Sequence, residues 1–378
     1  LYISYSGASA RDDTVQPPSV VVSELLEQVD ALSEEGTLSQ ALTIRHPLQP
    51  FSRRYFSAEP GLFSYACEMV PPGGLRRPNT TPLFDEPLAP PLPGELSLDG
   101  LVDFLANPAR ALLRGRLNVV LEPGAGQLPT REPMQLDGRS RRAVARAALE
   151  AQLQGMGEAE LAERVRLGGQ LPPGTPGELA MSEQWCQATP VATLLEPLLT
   201  SQALLPLSVS VMVGDWQLTG TLENVGPSGQ ILWSVESPSP WVMLRAWCAH
   251  LLLNMATDAP SHHTRLVSPN GVATFAPEHD PGQLLWEILA LYSEGMCRPL
   301  PFFPRSAWKF VNAPRSPRSA AQQTWMGSDF GPAQGESSDP YFALAFRDRL
   351  GQALDEEFES LATQLLGTPK ERLQDQDA

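Results

Sequence analysis

Leu207-Ser208-Val209-Ser210-Val211-Met212-Val213-Gly214-Asp215-Trp216-Gln217-Leu218-Thr219-Gly220-Thr221-Leu222-Glu223-Asn224-Val225-Gly226-Pro227-Ser228-Gly229-Gln230-Ile231-Leu232-Trp233-Ser234-Val235 alternates apolar and polar residues around two turn signals. Period-two alternation places one side of a strand on a core, and Gly214-Asp215 and Gly226-Pro227-Ser228-Gly229 are residues that reverse a chain. The run therefore predicts three strands, 207–213, 216–225 and 230–235. Downstream, two amphipathic helices, 241–256 and 282–295, bracket a strand pair near Leu266 and Val272, and 341–366 reads as one closing helix. Upstream lie helices over 139–153, 158–167 and 176–199, the last ending at the break set by Pro197. Before them, 117–121 reads as a short strand. Ser97 opens a helix carrying Leu98, Leu101, Val102 and Leu105, and Asn107-Pro108 caps and starts another with Leu112 and Leu113. Helices around a mixed sheet predict an α/β fold, without internal repeats.

The first hundred residues read differently. Leu1 to Tyr5 is strand-like, and Ser19 is placed to cap a helix bearing Val20, Val21, Leu25, Leu26 and Val29. From Ser33 to Gly94 the chain is proline-rich and irregular, with Phe51, Tyr55, Phe56, Phe63 and Tyr65 spaced through it, the pattern of a linker laid on a surface. The expected division is 1–32, then an extended linker 33–95, then a domain 96–378.

Composition sets the outer bounds. A chain of 378 residues predicts two or three folding units, and 42% hydrophobic with 19% charged residues excludes disorder throughout. Proline, at 38 residues, is about twice as frequent as usual, but it falls in short clusters such as Pro71-Pro72 and Pro90-Pro91 that punctuate the chain. The net charge of −16 argues against coating nucleic acid by bulk electrostatics, so any DNA contact must be local. Local basic stretches exist: 101–168 holds ten Arg against eight acids, and 298–318 holds five basic residues and no acid. Cys67, Cys186, Cys248 and Cys297 form no C-x-x-C pair, which fits a reducing cytoplasm. The opening residues carry no signal-peptide core and no Met, and are expected to belong to a longer polypeptide. The longest apolar stretch, Trp241 to Ala256, is interrupted by Arg245 and His250 and is shorter than the ~20 residues that cross a bilayer, so no membrane contact is expected.

The run Arg45-His46-Pro47-Leu48-Gln49-Pro50-Phe51-Ser52-Arg53-Arg54-Tyr55-Phe56, followed by the Leu-rich helix ending in Asn107-Pro108-Ala109-Arg110, resembles the RecC family, the gamma subunits of exodeoxyribonuclease V, in the C-terminal third. The likeness extends over nearly the whole chain, is most specific at 45–56 and weakens beyond residue 280. It implies a subunit of the bacterial helicase–nuclease that processes double-strand breaks, partnered by RecB and RecD and meeting double- and single-stranded DNA. It also implies the end of a helicase-like domain followed by a restriction-endonuclease-like domain, both without catalysis, with ATP and Mg²⁺ left to the partner subunits.

The residues test these implications separately. Leu1-Tyr2-Ile3-Ser4-Tyr5-Ser6-Gly7-Ala8 resembles the last superfamily 1 helicase motif, in which an arginine steadies the transferring phosphate; Gly7 stands at that position. An active nuclease of the related type needs a helical His, an Asp on one strand, and an acid-x-Lys on the next; the acids hold Mg²⁺ and the lysine orients water. Gly174-Thr175-Pro176-Gly177-Glu178 resembles the entry to the His helix, with Glu178 at the histidine's place. Leu218 to Glu223 resembles the first metal strand, with Glu223 for Asp. On the second strand Val235 takes the acid's position and Ser237 the lysine's, and slipping by one gives Glu236 and Pro238 instead. The chain's two lysines, Lys309 and Lys370, are both remote in sequence. The residues alone still leave open an atypical Mg²⁺ nuclease built on Glu178, Glu223 and Glu236, or a docking module without DNA contact. The bland reading of all three carboxylates is that they are solvated or hydrogen-bonded.

Some related nucleases hold an iron–sulfur cluster with a cysteine directly before the helix-opening proline; Asn107 stands there, and no cluster is expected. His262-His263 reads as loop, because adjacent rings cannot share a helix face. Gly124-Ala125-Gly126 is a lone turn. For DNA, Arg110 and Arg114 lie one turn apart, and Arg139, Arg142 and Arg146 recur along one helix edge, each set offering cations to phosphates. The bland reading is a solvated face paired with Glu150 or Asp137. Trp308-Lys309-Phe310 has the composition of a base-stacking site, but its flanking prolines favour reading it as an aromatic anchor holding a loop to the core.

Overall fold

The computed structural model describes all residues except 1, 10–13, 34–35, 58, 67–68, 70–81, 85, 122–133, 328–333 and 376–378. Cys67, Pro71-Pro72 and the Gly124-Ala125-Gly126 turn fall outside the described residues. The chain forms two compact units, Leu1–Thr80 and Thr81–Ala378.

The first unit contains helices α1 (Val20–Ala31) and α2 (Leu38–Leu42) and a 3-10 turn, Arg53–Phe56. Ser19 occupies the cap position of α1 without a side-chain bond. Asp30 ties the two helices together, its carboxylate accepting from the Ser39 N–H at 2.6 Å and the Ser39 hydroxyl at 2.7 Å. These two bonds hold the Asp30 carboxyl below its ordinary range. Leu62 is the sole buried hydrophobic among the described residues here. Of the strand expected at residues 1–5, residues 2–5 carry no ladder, and the first pairing among the described residues is an isolated bridge between Ala8 and Val15. Phe51, Phe63 and Tyr65 are exposed.

The second unit is an α/β structure on one mixed seven-stranded sheet. Its strands are β1 (Glu95–Ser97), β2 (Leu205–Val213), β3 (Trp216–Gly226), β4 (Gly229–Trp233), β5 (Thr264–Ser268), β6 (Gly271–Phe275) and β7 (Leu373–Asp375). β2 pairs antiparallel with β3. The order then runs β1–β3–β4–β5–β6–β7, with β1–β3 and β4–β5 parallel and the other pairs antiparallel. Its helices are α3 (Leu98–Ala106), α4 (Pro108–Leu117), α5 (Gly138–Leu153), α6 (Glu158–Leu167), α7 (Thr175–Thr200), α8 (Pro240–Met255), α9 (Pro281–Gly295), α10 (Pro304–Asn312), α11 (Pro317–Met326), α12 (Pro340–Ala345), α13 (Glu356–Ala362) and α14 (Thr368–Arg372). Period two sorts the sheet into two cores: Ile231 and Val267 join α5, α6 and α7, whereas the half-buried Leu232 and the buried Phe275 join the larger core built on α3, α4 and α8 to α13. The segment around Leu83, Phe84 and Leu88, expected to be linker, is part of this unit, with Leu83 and Phe84 on the large core and Leu88 N–H donating to the Cys297 carbonyl at 2.8 Å.

Caps explain where helices start. Ser97, Asn107, Asp137, Ser239 and Asp280 each accept a backbone N–H in the first turn, and four of these five helices, α3 excepted, begin with Pro or Gly. Three expectations are corrected. Residues 117–121 form no strand: α4 reaches Leu117, Asn118 turns left-handed at φ 53°, and the Leu121 N–H donates to the Tyr341 hydroxyl. Helix α7 does not break at Pro197 but continues to Thr200; Pro190 and Pro197 lie seven residues apart on the exposed side, so the carbonyls they leave without a helical donor face water. Residues 341–366 are not one helix but α12, a 3-10 turn, α13 and a π turn, because Asp339 and Asp355 restart the chain as caps.

Candidate functional site

The β3–β4 hairpin carries the positions that the sequence reading matched to a nuclease metal site, and the β2–β3 ladder is irregular there. Asn224 sits at φ 58° in β3, and the β2–β3 register shifts between Leu205/Val225 and Leu207/Leu222, a β-bulge. β3 pairs with β4 only at Val225–Gln230 and Gly226–Gly229, while β1 lies beside 217–219. Glu223, just before the bulge, is exposed. The turn itself is fixed. Gly229 adopts φ 103°, and a Cβ there would stand 2.1 Å from the His263 carbonyl oxygen. The Ser228 hydroxyl donates to Gln202 Oε1 at 2.7 Å and accepts from Arg265 Nη1 at 3.0 Å. The guanidinium at the turn thus bonds a hydroxyl, and no ion pair joins it to a carboxylate among the described residues.

Val235 and Ser237 follow the end of β4. Val235 packs on the smaller core, and its carbonyl accepts from Gln187 Nε2 of α7 at 3.3 Å; the Ser237 hydroxyl donates to Asn270 Oδ1 at 3.1 Å. Glu236 and Pro238 are half-buried. Glu178 is exposed in the first turn of α7, nine residues before Gln187 and so about 13 Å along the axis from the residue that touches Val235. Lys370 donates to the Val311 carbonyl at 3.1 Å, and Lys309 is exposed on α10. Among the described residues no three His, Cys, Asp or Glu side chains are grouped to hold a metal. Val235 and Ser237 offer neither carboxylate nor ammonium, so this residue set does not fit a Mg²⁺ site of the expected kind.

Gly7 lies in the exposed segment of the first unit, where its carbonyl accepts from the Gln16 N–H at 2.9 Å. Arg110 is half-buried and Arg114 exposed on α4; Arg139, Arg142 and Arg146 are exposed on α5. Arg146 pairs with Glu150 at 2.9 Å, an exposed pair worth under about 1 kcal/mol, while Asp137 spends its carboxylate on the Ser140 N–H as the α5 cap. Arg110, Arg114, Arg139 and Arg142 have no carboxylate within ion-pair distance among the described residues. Arg116, not singled out from the sequence, is a clasp: it donates to the carbonyls of Met296 and Ala89 at 3.1 and 2.8 Å.

Trp308-Lys309-Phe310 is not a loop but the middle of α10. Phe310 meets the Phe358 ring at 5.8 Å, and Trp308 packs partly on the large core. The N-terminus of α10 is closed by Glu336, whose buried carboxylate accepts the Arg305 N–H at 2.9 Å and the Ser306 N–H and hydroxyl at 2.7 and 2.8 Å. Burial pushes its carboxyl above the usual range, opposed by those bonds. Sequence spacing could not find this contact, which spans thirty residues. His262 and His263 lie in the loop after α8, where His262 meets the Ala256 carbonyl. Cys186 is exposed, whereas Cys248 is buried and its thiol is pushed up to about 12.

A family model described as the RecC C-terminal domain matches residues 93–315, from just before β1 to just past α10. The chain belongs to the RecC C-terminal domain family. Relatives agree: the RecBCD enzyme subunit RecC of Escherichia coli K12 is 29% identical over 82% of this chain and 28% of its own length. The RecC subunits of Mycobacterium tuberculosis and Mycolicibacterium smegmatis are each 26% identical, over 89% and 83% of this chain and 32% and 30% of theirs. This RecC-family chain thus spans about a third of the length of the curated relatives it matches, as the resemblance to a C-terminal third implied. The 45–56 run, read as most specific, lies outside the family match, which instead runs beyond residue 280. No helix among the described residues is long and apolar enough to cross a membrane.

Proposed function

We propose that this chain is a non-catalytic scaffold and DNA-guiding part of a RecBCD-type exodeoxyribonuclease V, acting in double-strand break repair and homologous recombination in a bacterial cytoplasm. On this reading it docks RecB and RecD, its second unit is a degenerate restriction-endonuclease-like domain, and residues 1–32 are the end of a helicase-like domain. ATP and Mg²⁺ are used by the partner subunits. The observation that supports the reading is the hairpin: Glu223 is exposed and lies outside the short β3–β4 ladder, with the Gln230 side chain reaching its backbone carbonyl at 3.1 Å, and Val235 and Ser237 stand at the positions read as the acid's and the lysine's. Metal-assisted hydrolysis requires carboxylates converging on one ion and a group to orient water.

Two measurements test this. Co-expression with RecB and RecD should recover all three chains together, and absence of this chain from the complex refutes the scaffold role. The purified chain with Mg²⁺ should leave linear DNA intact; degradation that Glu223→Ala abolishes refutes the non-catalytic role.

A further inference from the structure

An open cavity of about 550 Å³ lies between the start of α8, the exposed side of α10 and α11, within the span typical of small-ligand sites, roughly 300–1,000 Å³. Its wall includes Arg305, Trp308, Lys309, Gln323 and Gln334. Arg305, Trp308 and Lys309 share one face of α10 because they are three and four residues apart. We propose that this cavity holds one unpaired nucleotide of single-stranded DNA, its base against Trp308 and its phosphate between Arg305 and Lys309. The inference rests on the DNA-guiding reading above and adds the place where a strand is gripped.

Charge favours it. Arg305 and Lys309 are exposed and form no ion pair among the described residues, and 298–318 contains no acid. Glu336 is buried and its carboxylate hydrogen-bonds the backbone N–H groups of Arg305 and Ser306; it attracts the Arg305 charge but forms no ion pair with that guanidinium. Rigidity favours it too. Glu336 fixes α10, and Gly335 beside it packs so closely that a Cβ would lie 2.4 Å from the Trp325 carbonyl oxygen. A preformed site loses little entropy on binding. Trp308 is half-buried, held by the core while lining the cavity, which suits an aromatic platform; stacking on it needs a base free of its duplex partner. Gln323 and Gln334 each carry a donor and an acceptor, which any base edge can meet.

The test is anisotropy of labelled oligothymidylate titrated with the full chain over a range of salt. Arg305→Gln and Lys309→Gln, both at exposed positions, should each lower the slope of log affinity against log salt by about 0.7. Trp308→Leu should weaken binding roughly five- to hundredfold and Trp308→Tyr should restore most of it, with circular dichroism checking that each variant folds. Thymidine monophosphate should compete for the site better than inorganic phosphate. Equal competition by phosphate would overturn the stacked base, leaving an anion site. Wild-type binding that neither glutamine variant alters would overturn the site while sparing the DNA-guiding reading, whereas no binding by the wild type at low salt would overturn both.

Discussion

His250 shows what one buried side chain does to the whole unit's response to acid. Its ring stacks against both Trp247 and Phe275, at 5.7 and 5.1 Å, in a three-ring cluster, and its Nδ1 lies 3.0 Å from the Thr264 hydroxyl. Burial pushes its pKa down from 6.5 to about 4, against a backbone hydrogen bond at Ala276 that works the other way; His262 and His263 lower it slightly further. The folded state therefore keeps the ring neutral where the unfolded chain has already taken a proton. Stability from this residue is present above pH 6.5 and is lost as pH falls toward 4, by about 2 to 3 kcal/mol. Glu336, with its carboxyl raised, contributes in the opposite direction, so the comparison must be made against His250→Gln. Urea unfolding at pH 7.5 and 4.5 should show a loss in the wild type that is larger than the variant's by that amount; equal losses would refute the assignment. In the sequence His250 is legible only as an interruption of an apolar run. Its aromatic neighbours come partly from β6, 25 residues away, and no local pattern announces them.

At the scale of elements, strands and caps were legible because their signals are local. The alternation in 207–235 and the Asn107-Pro108 start are read from adjacent residues, and both stand as predicted within a few positions. What local reading missed was long-range. The prolines of α7 do not end it because their faces meet water, and α10 looked like a loop because its stabilising cap, Glu336, comes thirty residues later. The short strands β1 and β7 have three residues each, too few to show a period. The candidate site was half legible: that Gly7, Val235 and Ser237 offer no charged group is plain in the sequence, and the exposure of Glu223 follows from the alternation around buried Leu222, but the bulge at Asn224 is not. The weight of one distant cap can be measured. Glu336→Ala leaves two backbone N–H groups and the Ser306 hydroxyl without their acceptor and should cost about 2 to 3 kcal/mol in urea unfolding, with a corresponding loss of protection at the Arg305 and Ser306 amides. A change under about 0.5 kcal/mol would mean water replaces the carboxylate without penalty.

For the whole molecule, buried area is very unequally divided. Leu62 is the lone buried hydrophobic in the first unit among the described residues, whereas two contiguous cores occupy the second. A chain starting at Thr81 should therefore fold alone and unfold cooperatively, with a midpoint close to that of the full chain; residues 2–80 alone should give no cooperative transition. Loss of cooperative unfolding in the Thr81–Ala378 piece would refute the division. Length and composition predicted more than one folding unit, but the aromatics at 51–65 gave no sign of how little they bury.

One end of the sheet has a practical consequence. Among the described residues β2 bonds to β3 alone, so the alternate residues of this nine-residue strand whose backbone groups point away from β3 offer donors and acceptors to whatever arrives. A second copy can supply such a strand as readily as a proper companion can. Concentrated stocks of the isolated chain are therefore open to self-templated clumping along that rim, and a lysine introduced at Ser208 or Ser210, both exposed, is the natural guard.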